Sequence, residues 1–307
     1  MKIEEKERGE ERCRLVNGTF LVTVLFYLGA SISLSGILAK TDSILLRLTV
    51  SQLILAAPTA GYLILVRQPF CESIRLKPLK PTRILLVLLF ALLVLPFMSF
   101  INALSLLVTT NQATAELQEL TRLPFVVSLL FVALLPAVLE ETVYRGVFFQ
   151  EYRKIHIGKG ILLSGFLFGL MHLNLNQFSY AFAMGCIFAV VIEATDTILS
   201  TMLIHFAINA FSTVMTYLTA ELPILEQAEG SAITMTDVLQ IGAAAVIPTI
   251  LAVWILVWLS RLEGRGHIWS ELVGKGAEEK KHLLTMPLLA GMLICIGYMI
   301  VYELSIR

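Results

Sequence analysis

The sequence predicts an all-α membrane protein, a polytopic bundle of about eight to nine transmembrane helices. Three observations carry that prediction. Apolar residues make up 57% of the 307-residue chain and charged residues only 15%, whereas soluble domains carry about 25% charge. Runs of roughly 20 apolar residues, enough to cross about 30 Å of hydrocarbon, recur along the chain. Basic residues collect in alternate connections between those runs. A mean hydropathy of +0.82 leaves too few polar groups to cover a water-facing surface.

The apolar runs lie at residues 17–38, 44–66, 83–107, 123–151, 159–175, 178–195, 197–220, 238–260 and 283–304. Each must be helical, because unpaired backbone groups are too costly in lipid. The fifth and sixth runs are short, and few polar residues (Asn174, Asn176, Gln177) part them. They can form one tight hairpin, so the range is about seven to nine spans.

The connections set the orientation. Lys2, Lys6, Arg8, Arg12 and Arg14 precede the first run, and Arg67, Arg75, Lys77, Lys80 and Arg83 follow the second. Arg153, Lys154 and Lys159 follow the fourth; Arg261, Arg265, Lys275, Lys280 and Lys281 follow the eighth. These four segments hold 18 of the 23 basic residues, while the opposite connections carry Glu116, Glu119, Glu221, Glu226 and Glu229. The bias predicts a multi-pass protein of the cell membrane with a cytoplasmic N-terminus. Nine spans put the C-terminus outside. Residues 108–122 read as an interfacial helix resting on Leu117 and Leu120. The expected organisation is a cytoplasmic tail (1–16), N-terminal transmembrane helices (17–122), a core (123–220) and C-terminal transmembrane helices (221–307).

Composition also excludes some functions. Equal numbers of basic and acidic residues, 23 each, argue against a nucleic-acid partner held by bulk electrostatics. Cys13, Cys71, Cys186 and Cys295 form no CxxC pair, no disulfide framework and no cysteine metal site. The mixed-sign N-terminal region lacks a small-residue cleavage site, so a removable signal is not expected. Asn17-Gly18-Thr19 matches a glycosylation sequon but lies at the cytoplasmic end of the first span. Glu193 and Asp196 read as caps of a short turn, and Trp254, Trp258 and Trp269 as interface anchors or packing.

Polar groups inside spans are expensive and are candidate functional groups. Three clusters meet that description, on spans four, five and seven. The first runs Glu140-Glu141-Thr142-Val143-Tyr144-Arg145. Glu141 and Arg145, four apart, share a face and can pair. Glu140 points about 100° away with no charged partner at helical spacing, which suits a general acid or base. A span ending near Leu139, with both glutamates solvated, is the plainer reading. Val143, Val147, Phe148 and Phe149 oppose it by continuing the apolar pattern. The second cluster, Phe168 to His172, follows Gly165 and contains Gly169, a spacing for close helix contact. The third places His205 and Asn209 one turn apart on one face. A structural hydrogen bond is the plain alternative for His172, and an interhelical clamp for His205 and Asn209.

Short connections make these three spans neighbours. At 1.5 Å per residue, Glu140, His172 and His205 lie about 17, 20 and 12 Å from the basic ends. One buried cavity open to the cytoplasm can therefore hold them all. A carboxylate, two imidazoles and a carboxamide make a hydrolytic set. The carboxylate takes a proton from water and a histidine orients that water. The second histidine and the amide donate to the oxyanion. No serine or cysteine is placed as a nucleophile. Glu140, His172 and His205 can alternatively hold zinc with an open position, although HExxH is absent.

The segments EETVYR (140–145), FGLMH (168–172) and HFAIN (205–209) resemble the EExxxR, FxxxH and HxxxN motifs of the CPBP intramembrane protease family. That family includes the CAAX prenyl endopeptidases and the Abi, or bacteriocin-processing and immunity, proteins. The resemblance covers about residues 123–220; the extra C-terminal span departs from the family pattern. It implies a helical bundle with a conical cavity open to the cytosol, and peptide-bond hydrolysis within it. Carried over by residue, it implies that Glu140 activates water with help from His172, and that His205 and Asn209 form the oxyanion hole. Glu141 and Arg145 would support the site and Phe168 would line it. It implies no metal cofactor, zinc remaining the alternative, and a membrane-associated or leader-type peptide as substrate. The rival functions are a catalytically silent immunity or scaffold protein, and a transporter with a protonatable Glu140. No repeat symmetry or paired broken helices support the transporter.

Overall fold

The computed structural model describes residues 2–38, 43–110, 120–219, 233–273 and 283–306, and all regular structure among them is helical. In chain order the helices are α1 (Lys2–Leu38), α2 (Ile44–Val66), the short α3 (Phe70–Ser73), α4 (Pro81–Leu106) and the rod α5 (Phe125–Arg153). There follow α6 (Ile157–Leu170), α7 (Leu175–Thr195), α8 (Ile198–Thr219), α9 (Met235–Leu262), the short α10 (Ile268–Val273) and α11 (Met286–Ile306). Among the described residues, eight helices are long and apolar enough to cross a membrane: α1, α2, α4, α5, α7, α8, α9 and α11. The chain is a multi-pass, all-α membrane protein. The expected interfacial helix at 108–122 falls largely on residues 111–119, which lie outside the described residues. So do Glu116, Glu119, Glu221, Glu226, Glu229, Lys275, Lys280 and Lys281.

Two boundaries differ from the sequence expectation. Of the expected tail 1–16, residues 2–16 are helical and continuous with the first span; Glu, Lys and Arg are good helix formers. The expected fifth span, 159–175, stops at Leu170. Its 14 residues rise about 21 Å, short of a crossing. The chain turns back at 171–174, and Asn174 opens α7 by accepting from the Gln177 N–H at 3.0 Å. Leu173 sits in this turn at φ 51°, a left-handed conformation unusual for a bulky residue.

The α6–α7 hairpin is held by close approach, as the glycine spacing predicts. A Cβ on Gly165 would lie 2.7 Å from Cys186 Sγ, and one on Gly169 would lie 3.0 Å from Phe178. α9 lies along α4, α1 packs on α2 and α11, and α8 packs on α4 and α5.

α5 is not uniform. Two π-helical stretches, Leu129–Leu134 and Thr142–Phe148, bracket the α-helical Leu135–Glu141. Pro136 has no N–H to give the carbonyl four residues back, that of Val132. Asn209 Nδ2 on α8 donates to that carbonyl at 3.3 Å.

The basic connections gather at one end of the bundle. Glu193, expected as a turn cap, is instead a fully buried hub. It accepts from Arg75 Nη1 at 3.0 Å, from Arg153 Nη2 at 3.0 Å and from Arg265 Nη2 at 2.9 Å. Asp196 ends α7 in a left-handed conformation and pairs with Lys77, with Arg75 at 3.7 Å and with Arg265 at 3.8 Å. Burial pushes the Asp196 carboxyl up, but the Lys77 hydrogen bond and the Arg75 charge outweigh it and hold the group below its ordinary value. Glu263 accepts from Arg83 Nε at 2.7 Å and Lys80 Nζ at 3.0 Å. Near this end Asn17 is fully buried. It donates to the Leu283 carbonyl at 2.8 Å and to Thr285 at 3.1 Å, and accepts from Tyr152 at 2.8 Å. The sequon asparagine is therefore an interhelical tie. Trp254 and Trp258 lie 5.4 Å apart on the exposed face of α9, and Trp269 donates to Ser260 at 2.8 Å.

Candidate active site

The adjacent glutamates of α5 meet different surroundings, as their angular separation requires. Glu141 is fully buried. Its Oε1 accepts from Arg145 Nη1 at 2.9 Å, one turn on, and from His205 Nδ1 at 3.0 Å across on α8. The Arg145 guanidinium carbon lies 4.3 Å from the Phe168 ring centroid and 5.0 Å from that of Phe188, a cation–π arrangement for a desolvated guanidinium. Glu141 Oε2, Arg145 Nε and Arg145 Nη2 have no hydrogen-bond partner among the described residues.

Glu140 faces a cavity of about 480 Å³. Its side chain is 14% exposed, and its Oε1 accepts from Gln52 Nε2 of α2 at 2.9 Å. His172, in the α6–α7 turn, lines the same cavity. Its Nδ1 contacts the Phe168 carbonyl at 2.9 Å. A carbonyl only accepts, so Nδ1 carries the proton and the neutral ring keeps its lone pair on Nε2.

Phe168 is the centre of the group. Its ring lies 5.0 Å from those of His172 and Tyr144 and 6.2 Å from that of His205. His205 Nε2 lies 4.0 Å from Glu140 Oε2. The fold thus gathers Glu140, Glu141, Arg145, Phe168, His172 and His205 around one point. Asn209 is placed differently. Its amide is used on the Val132 carbonyl, and neither it nor His205 is among the cavity walls.

The walls also include residues that sequence reasoning passed over: Tyr27 of α1, Gln52 of α2, Tyr144 of α5, and Tyr298 and Tyr302 of α11. Gln52 carried a signal, an amide inside an apolar run. Tyr144 stood inside the first cluster unassigned. These walls come from the later halves of α1 and α11 and the earlier half of α2, away from the Glu193 end. The expected cavity opened on the basic side; the observed walls occupy the middle and the far half. Depth along three helices does not reveal which neighbouring helices wall the cavity.

Among the described residues no group of three or more His, Cys, Asp or Glu side chains is placed to hold a metal ion. Glu140, His172 and His205, the alternative zinc set, form no such group.

No curated protein and no solved structure matches the chain at a significant level. Residues 122–211, which include Glu140, Glu141, Arg145, Phe168, His172, His205 and Asn209, match the family model described as Rce1-like, type II CAAX prenyl endopeptidase.

Proposed function

We propose that this chain is an intramembrane endopeptidase that hydrolyses a peptide bond of a membrane-associated or leader-type peptide, using water activated by Glu140. The observation that supports it most directly is that Glu140 and His172 line the same cavity. Gln52 fixes one oxygen of Glu140, leaving Oε2 to take a proton from water. His172 Nε2, bared by the Phe168 bond, accepts from the same water and orients it. The water oxygen adds to the carbonyl carbon, the C–N bond breaks, and Glu140 passes its proton to the leaving amine.

His205 and Asn209 are the proposed oxyanion donors. With Nδ1 on Glu141, His205 offers a second N–H only as a doubly protonated ring. Asn209 must release the Val132 carbonyl to serve. Glu141 and Arg145 act by holding His205. The lipid bilayer is the medium, and the gathering of basic connections at one end supports a cytoplasmic N-terminus in the cell membrane. No step is assigned to a metal.

The test is cleavage of a quenched-fluorescent peptide library, with prenylated and unprenylated members, by purified protein with and without chelator. Wild type should cleave in both conditions, and Glu140→Gln should fall by about 1000-fold, within the usual range for a lost general base. Loss of activity with chelator would assign the chemistry to zinc. A wild type that cleaves nothing would leave the silent scaffold reading.

A further inference from the structure

We infer that Tyr144 and Gln52 form a cradle for one peptide group of the substrate, the Tyr144 hydroxyl donating to the scissile carbonyl oxygen and Gln52 Oε1 accepting the peptide N–H. This rests on the hydrolase reading and gives its site two further substrate-contacting residues.

Tyr144 is 1% exposed, yet its hydroxyl has no hydrogen-bond partner among the described residues. Buried tyrosine hydroxyls usually find one, because an unmet polar group weakens the fold. Tyr144 lines the Glu140 cavity and sits one turn after Glu140 on the same face. Its ring is fixed by Phe148 at 5.9 Å and Phe168 at 5.0 Å, so the hydroxyl position is set before substrate arrives.

Gln52 supplies the complement. An ionised Glu140 only accepts, so the Gln52 nitrogen faces it and the amide orientation follows. The Gln52 Oε1 that remains is buried and has no hydrogen-bond partner among the described residues, and Gln52 lines the same cavity. One spare donor and one spare acceptor on residues that line the cavity of Glu140 match the C=O and N–H of a secondary amide. When the water oxygen attacks, the carbonyl π electrons move to the oxygen, and Tyr144 stabilises that charge without giving up its proton. Collapse breaks the C–N bond, and the amine leaves with the proton from Glu140. The cradle also meets a need that Asn209, engaged with Val132 outside the cavity walls, leaves open.

The experiment compares wild type, Glu140→Gln, Tyr144→Phe and Gln52→Leu on a peptide and on its ester analogue, which lacks the N–H. Tyr144→Phe should lower kcat by about 100-fold with KM nearly unchanged and a thermal midpoint equal to or above wild type. A merely structural tyrosine would not give that split. Gln52→Leu should shift the amide-to-ester preference by about tenfold, the worth of one hydrogen bond. Full turnover by Tyr144→Phe beside an inactive Glu140→Gln overturns the cradle and leaves the hydrolase reading intact. If wild type hydrolyses neither substrate, the hydrolase reading fails. Binding of a fluorescent capped dipeptide amide then decides the cradle. Binding weakened about tenfold by Tyr144→Phe upholds it; equal binding, or none, overturns it.

Discussion

Glu193 at the basic end and Glu141 in mid-bundle are both fully buried and both bound by arginine, but little else about them agrees. Three guanidiniums from three different connections converge on Glu193, and their side chains keep 13–23% exposure. Glu141 has one guanidinium and one imidazole, all three groups at or below 3% exposure, and three polar atoms of the pair lack partners among the described residues. The first cluster fastens helix ends where water can help. The second carries unmet polar groups, a cost that a fastening alone would not retain. What it gains is a His205 ring fixed 4.0 Å from Glu140.

The largest effect is expected from removing the cation beside Glu141. Arg145→Met leaves a buried carboxylate uncompensated, which costs about 3–5 kcal/mol. The thermal midpoint in detergent should collapse, and adding Glu141→Gln should recover much of it. A single variant with the wild-type midpoint would mean the pair is solvated. Glu193→Gln is the matched test at the other end. Its arginines can hydrate, so the loss should be about 1–2 kcal/mol after discounting for screening, with peptide turnover per folded molecule unchanged. Asn209→Ala separates clamp from catalyst. Loss of the Val132 bond alone costs about 1 kcal/mol of stability and leaves turnover within tenfold, whereas loss of an oxyanion donor costs about 100–1000-fold in rate.

The smallest effect concerns acid. The folded-state value of Asp196 lies below the ordinary 3.8. A depressed carboxyl contributes stability above its unfolded value and loses it as pH falls through the lower folded value. Burial raises the Glu263 carboxyl, but its bonds to Arg83 and Lys80 outweigh this and leave it below the ordinary 4.5, so it behaves alike. Thermal midpoints should therefore hold down to about pH 4 and decline below it. Asp196→Asn should flatten that decline, and an unchanged slope would remove Asp196 from the hub.

Much of this was legible in the sequence because the membrane makes polarity costly. A carboxylate pair, two histidines and an asparagine inside apolar runs declare themselves, and helical spacing foretold the Glu141–Arg145 pair. The short sixth helix was half legible. Its apolar run reads through the turn, and only Asn174 and Leu173's left-handed backbone reveal the break. The Glu193 hub was hidden because its arginines lie 40 to 118 residues away. The pairing of Gln52 with Glu140, 88 residues away, was hidden for the same reason. The destination of Asn209 depended on Pro136 freeing one carbonyl, a local rule that needs tertiary placement to show its consequence.

The most direct test is peptide hydrolysis by Glu140→Gln against wild type, at matched amounts of folded protein. Water activation by Glu140 predicts a rate about 1000-fold lower at an unchanged thermal midpoint. A variant that cleaves within tenfold of wild type would contradict the account.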